Sequence, residues 1–217
     1  MKRALAIMIG AAFILLLATL TLVVLPYIQM STEAVPPDLK PYTEQELVGR
    51  QSYIANGCVY CHSQQPRDPS FATGDRDRGW GRPGVPGDYT YDRPHLLGTM
   101  RTGPDLFNIA ARQPSEDWHL IHLYNPQAVM KGSIMPPYRF LFLQVDKARP
   151  EDKVVNMPPP YGPESGQIVA TDEAMALVAY LLSLDHTYPA PTLPQPAPQP
   201  LEPASEQATE QTQTDKE

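Results

Sequence analysis

The chain has 217 residues, 42% hydrophobic and 19% charged, with 26 prolines and two cysteines. That length suits one domain with appendages rather than two full domains. Two cysteines exclude a disulfide-dense scaffold, and so much proline excludes a chain built mainly of regular helix or sheet. The formal charge is −7; with Lys2 and Arg3 set aside, because they precede an apolar run, 15 basic residues face 24 acidic ones. A net of −9 argues against nucleic acid as a partner.

Ala4 to Leu25 carries no charge, and as a helix its 22 residues would span about 33 Å against a hydrocarbon core of roughly 30 Å. The run ends Val24-Leu25-Pro26-Tyr27-Ile28 without the small-residue pattern of a cleavage site, so it reads as a retained anchor rather than a removed leader. Lys2 and Arg3 favour the inner side, which places the rest of the chain on the outer, periplasmic face of a bacterial inner membrane, crossing the bilayer once. Pro36, Pro37 and Pro41 then predict an extended tether.

The first soluble helix is announced by a capping box, Thr43-Glu44-Gln45-Glu46, and should end near Asn56-Gly57. Residues 63–104 are rich in Gly and Pro, with Arg67, Arg76, Arg78, Arg82 and Arg93 interleaved with aspartates; such length without periodicity signals a functional loop or disorder. A short helix is bracketed by Pro114-Ser115 and Asn125-Pro126, and another runs from Thr171 to about Leu184. From Pro189 onward the composition is that of a disordered tail.

Cys58-Val59-Tyr60-Cys61-His62 is the attachment signature of c-type haem. Two residues between the cysteines set both sulfurs along one edge of a porphyrin for thioether formation, and the adjacent imidazole then lies over the iron as an axial ligand. A dithiol redox pair would belong to a βαβ context and would not need the His. Among the later methionines, Met135 in Ser133-Ile134-Met135-Pro136-Pro137-Tyr138 is the best sixth ligand, since the following proline restricts its backbone; Met157-Pro158 is the reserve. His119 and His122 share a helix face without a supporting third metal ligand, and His186 at the end of the last helix reads as a cation favoured by the helix dipole.

Taken in order, the helix into Cys58-x-x-Cys61-His62, Arg101-Thr102-Gly103-Pro104-Asp105-Leu106, the Trp118 helix ending Asn125-Pro126, Met135-Pro136, and Ala176-Leu177-Val178-Ala179-Tyr180-Leu181 resemble a class I cytochrome c. More narrowly, Cys61-His62-Ser63-Gln64, Tyr91-Asp92-Arg93-Pro94, Trp118-His119 with His122-Leu123, and Met135-Pro136 with Tyr138 resemble the mono-haem subunit II of cbb3-type cytochrome c oxidases, over about residues 43–185. The resemblance implies a mainly α fold, a class I cytochrome c-like helical domain with long irregular loops on a single amino-terminal transmembrane helix. The layout it implies is an anchor over 1–28, an extended tether over 29–42, a cytochrome c domain over 43–188 and a Pro/Gln/Glu-rich tail over 189–217.

It further implies one covalently attached haem c on Cys58 and Cys61, with His62 and Met135 as axial ligands to the iron. Pro104, beside Gly103, would orient His62 through its carbonyl, Arg101 would pair with a haem propionate, and Gly49 and Tyr180 would mark the crossing of the first and last soluble helices. Gln65-Pro66-Arg67-Asp68-Pro69 is more polar than the family's stretch there, and Leu96 to Thr99 and Tyr138 to Leu141 stand where the family usually carries Trp, which points to a changed docking surface. The implied function is a membrane-anchored relay of single electrons to the catalytic subunit of a haem-copper terminal oxidase, beside other cytochrome c subunits. No catalysis is expected from this chain alone. The alternatives are a free-standing, membrane-tethered cytochrome c shuttling electrons between respiratory complexes, and a haem enzyme or gas sensor with an open sixth position.

Overall fold

The computed structural model describes residues 2–70 and 74–190; the expected tail lies outside the described residues apart from its first two positions. Helix α1 (Lys2–Thr19) passes through a π-helical stretch, Leu20–Val24, into α2 (Leu25–Ser31). Pro26 supplies the reason: its ring crowds the carbonyl four residues back and it lacks an N–H, and a wider turn relieves both. Leu25 accordingly donates to the carbonyl of Leu20, five residues away. The continuous span Arg3–Ser31 is apolar and is not buried against any of the described residues. At 29 residues it extends for about 43 Å, more than the roughly 30 Å of hydrocarbon, so its polar final turn emerges beyond the lipid core.

The soluble part is a helical domain built on two crossed helices, α3 (Glu44–Ala55) and α6 (Asp172–Ser183). Both start as expected. Thr43 accepts from the Glu46 amide while the Glu46 carboxylate accepts from Thr43, and Thr171 accepts from the Ala174 amide. At the crossing, Gly49 lies directly on the backbone of α6, where a Cβ would overlap the Ala176 carbonyl oxygen. One turn on, Tyr53 meets Tyr180 edge to face at 5.5 Å. Gly49 thus opposes Ala176, and Tyr180 fills the next layer. Because the obstacle is backbone rather than a movable side chain, Gly49→Ala is expected to destabilise the domain by about 1–3 kcal/mol, read as a lower unfolding midpoint of the detergent-solubilised chain.

Two short helices, α4 (Ile109–Arg112) and α5 (Glu116–Tyr124), complete the helical set, the second capped by Ser115. A small sheet was not expected: β1 (Phe142–Val145), β2 (Val154–Val155) and β3 (Gln167–Ala170) pair antiparallel in the order β1-β3-β2. Phe142, Val155 and Ile168 turn into the core, and Thr171 binds the Leu141 carbonyl through both its amide and its hydroxyl, at 3.1 and 2.8 Å. The sheet therefore fixes the start of α6.

The charged loop 63–104 is held by paired charges among its described residues. Arg82 forks onto Asp88 at 2.7 and 2.8 Å, Arg101 holds Asp75 at 2.6 Å, and Arg50 of α3 reaches Asp92 at 3.0 Å. The stretch 29–42 also differs from a simple tether. Residues 29–31 finish α2, Pro36 is fully buried, the Ala34 carbonyl sits where a Cβ on Gly87 would be, and the Tyr42 hydroxyl donates to Asp92 at 3.1 Å. Proline stiffens this segment as its composition implies, but it lies along the domain instead of spanning open water.

Candidate functional site

The site forms where α3 ends. Gly57 adopts φ 70°, a left-handed turn that costs glycine little, and sends the chain into a single 3₁₀ turn, Cys58–Tyr60, closed by the Cys61 amide on the Cys58 carbonyl at 3.1 Å, which the His62 amide also reaches at 2.9 Å. This puts Cys58, Cys61 and His62 on one wall of a cavity of about 490 Å³, a size ordinary for a small-molecule or cofactor site. Neither cysteine is bonded to the other; Cys58 is buried, and its thiol is pushed up to about 11 by that burial, while Cys61 is exposed.

A second segment backs this wall. The Gly103 amide donates to Cys61 at 2.9 Å and the Leu106 amide to Ser63 at 2.8 Å. Asp105, fully buried, accepts from the Ser63 hydroxyl at 2.6 Å, the Gln65 amide at 2.8 Å and the Phe107 amide at 2.9 Å. Burial raises its carboxyl above the usual range against the pull of those donors. The purpose of this zipper is visible at its centre: Pro104 offers its carbonyl to Nδ1 of His62 at 2.7 Å, and a Cβ on Gly103 would overlap the imidazole. Burial holds the His62 pKa below its ordinary value, with the Pro104 contact opposing. The ring is therefore neutral near pH 7, its Nδ1 proton is engaged, and its Nε2 lone pair is free to ligate.

The rest of the cavity comes from α5, α6 and the segment around Met135. Of the methionines considered, Met135 lines the cavity, whereas Met157 packs on the core elsewhere; Met130 also lines it, with more than half its surface exposed. Met135 is partly buried, its amide bonded to the Ser133 hydroxyl at 3.3 Å, and Tyr138 just beyond is pinned to the Leu123 carbonyl at 2.8 Å. Cys58, Cys61, His62, Gly103, Pro104 and Met135 are thus brought together.

Arg101 is not among them. Its guanidinium holds Asp75 and donates to the Gln65 carbonyl at 2.7 Å, over the Trp80 ring, outside the cavity lining. The arginine that does line the cavity is Arg112, which the sequence reading passed over. It donates to the Asp105 carbonyl, and among the described residues its buried Nε has no partner. Burial lowers its pKa from the ordinary value. The available signal was its place: a lone arginine closing a short apolar helix directly after the Gly103-Pro104-Asp105-Leu106 string.

The remaining histidines separate. His119 is buried with Nε2 2.9 Å from the Gln113 carbonyl. His122 lines the cavity, stacked on Trp118 at 4.7 Å. His186 corrects an expectation: it is buried, stacked on Phe107 at 3.9 Å with Nδ1 2.6 Å from the Phe107 carbonyl, and burial lowers its pKa. It is a neutral core residue rather than a cation at a helix end.

In comparison with known families, the model described as cytochrome c oxidase, mono-heme subunit/FixO, matches residues 1–158. A comparison with curated proteins found no match.

Proposed function

The chain belongs to the FixO family, the mono-haem subunits of cbb3-type cytochrome c oxidases, and on that premise we propose that it relays single electrons to the catalytic haem-copper subunit from a haem c covalently held by Cys58 and Cys61. Haem supplies a one-electron ferric/ferrous couple. The residues fit it. The two thiols and an imidazole share one wall of a sufficient cavity, and the Gly103 backbone leaves the imidazole a slot that a Cβ would fill.

His62 and Met135 are the axial ligands in this reading. The observation that carries it is the Nδ1 contact of His62 with Pro104, 2.7 Å, because a ligating histidine commonly donates its second nitrogen to a backbone carbonyl or carboxylate, which fixes tautomer and orientation. Arg112, which lines the cavity where Arg101 does not, takes the propionate-pairing role that the sequence suggested for Arg101. With both axial positions filled by protein, no open position remains for substrate, and the chain transfers electrons without catalysing a reaction alone.

The domain sits on the outer, periplasmic face, single-pass, beside the oxidase's other cytochrome c subunits. Its layout is anchor, docked linker, cytochrome c domain and tail. The docked linker supports an oxidase subunit over a free shuttle, since only Thr32 and Glu33 separate the end of α2 from the Ala34 contact, too short a span for a swinging tether.

The test is purification of the tagged chain from native membranes in mild detergent, parent beside a Cys58→Ser/Cys61→Ser variant. The parent is expected to carry haem that survives denaturation and to co-purify with b-type haem and oxygen consumption; the variant is expected to lose covalent haem. Haem c alone on intact parent protein would favour the shuttle, and equal covalent haem on the variant would reject the attachment site.

A further inference from the structure

Helix α3 carries its polarity inside out. Arg50 is 5% exposed and pairs with Asp92, and Ser52 donates to Glu173 of α6 at 2.8 Å, both on the buried side with Gly49 and Tyr53. Leu47, Val48 and Ile54 meanwhile turn outward, at 44%, 51% and 37% exposed. At about 100° per residue these three, with exposed Gln51 and Ala55, fall within one arc of roughly 120°. The sole charge on that arc is Glu44, in the first turn. A soluble helix ordinarily shows its charged residues to water and its apolar ones to the core. Single exposed apolar residues need no explanation, but three grouped on an otherwise uncharged helix face do.

The face continues toward the site. Past the end of α3 the Tyr60 ring, 75% exposed, lies against Gly57, where a Cβ would meet it at 3.1 Å. Cys61, next in the chain, is exposed and lines the cavity. A neighbour seated on α3 and Tyr60 therefore also borders the wall that carries the cysteines.

The chemistry of the face selects its occupant. Transient electron-transfer partners meet through small contacts steered by charge, whereas permanent subunit contacts are larger and more apolar, with charge depleted at their centre. An interfacial contact with lipid draws on basic side chains, and Arg50, the single basic residue of α3, is buried in an ion pair. We propose that the outer face of α3, extended by Tyr60, docks permanently on an uncharged apolar surface of the oxidase's catalytic subunit. The proposal rests on the electron-relay reading, which makes that subunit the one the haem must border.

The experiment uses the full haem-loaded chain purified from native membranes in mild detergent, with b-type haem measured against covalent haem c. Leu47→Glu/Ile54→Lys places two charges on the face without altering the net charge, and Leu143→Glu, at an exposed apolar position of β1, is the control. Unpaired charge buried at a contact is costly, so the double variant is expected to lose b-type haem by about tenfold or more. Its covalent haem c and unfolding midpoint, and the b-type haem of the control, are expected to stay at the parent level. Should the double variant fail to accumulate, Leu47→Ser/Ile54→Ser carries the same comparison. Parent-level b-type haem on the double variant would overturn the docking: a dimer of the chain alone that the substitutions break would give the face to a second copy, and no dimer would leave it to lipid. Equal loss from the control would show a general disturbance and overturn it too. Absence of b-type haem from the parent would instead overturn the relay reading, and the docking with it.

Discussion

Asp92→Ala is expected to destabilise the domain by about 3–5 kcal/mol, seen as a large drop in the denaturant midpoint of the detergent-solubilised chain. The carboxylate is 4% exposed and holds the buried Arg50 at 3.0 Å, while accepting from Tyr42 at 3.1 Å. Arg50 also donates to the carbonyls of Arg93 and Pro94, but carbonyls do not neutralise it. Removing Asp92 strands a guanidinium in a low-dielectric site, and that uncompensated charge, not the lost bond, sets the magnitude. Asp152→Ala provides the contrast. Its partner Arg149 has a side chain 72% exposed, water screens the pair, and the midpoint is expected to stay put. If Asp92→Ala behaved like Asp152→Ala, Asp92 would not be the node that ties α3, the charged loop and the linker together. The same change frees Tyr42, so it should also raise the proteolytic susceptibility of residues 32–42.

The parts of the fold that were legible in the sequence are those specified within four or five residues. Thr43, Ser115 and Thr171 each mark a helix start because a cap is a local hydrogen bond, and Gly57 marks an end because the turn demands a positive φ. The cysteine-histidine motif is local for the same reason: its spacing is the chemistry. What was not legible depends on pairing across long separations. Asp75, Asp88 and Asp92 and five arginines of the loop were visible as an interleaved charge pattern, yet Asp75 pairs with Arg101 and Asp92 with Arg50, neither of them among those five, choices made by the folded loop. Arg101 was expected at a haem propionate because a guanidinium can pair with a carboxylate bidentately. The folded loop instead ties it to Asp75 and the Gln65 carbonyl, and among the described arginines Arg112 lines the cavity. The sheet escaped because β2 spans two residues, Val154–Val155, too few for an alternation to register. The linker escaped because proline content signals stiffness without saying what the stiff segment rests on.

The site's own weakest tolerance is at Gly103, and Gly103→Ala is expected to separate attachment of haem from its ligation. The backbone there is fixed from both sides, by its amide on Cys61 at 2.9 Å and by Pro104, whose carbonyl holds His62 at 2.7 Å. A methyl group added between them overlaps the imidazole. The backbone cannot retreat cheaply, because it is anchored through Leu106 to Ser63 at 2.8 Å. The ring must turn, and the turn breaks the contact with Pro104 that fixes its tautomer. Loss of such a supporting contact typically weakens ligation 10–100-fold, roughly 1.4–2.7 kcal/mol. Cys58 and Cys61 are untouched, so haem should remain bound to the denatured chain, while the oxidised protein shifts from a low-spin to a high-spin spectrum. Imidazole added to the variant should restore the low-spin form by replacing the displaced ring. A low-spin spectrum equal to the parent's, with no response to imidazole, would mean that His62 is held by something other than Pro104 and the glycine beneath it.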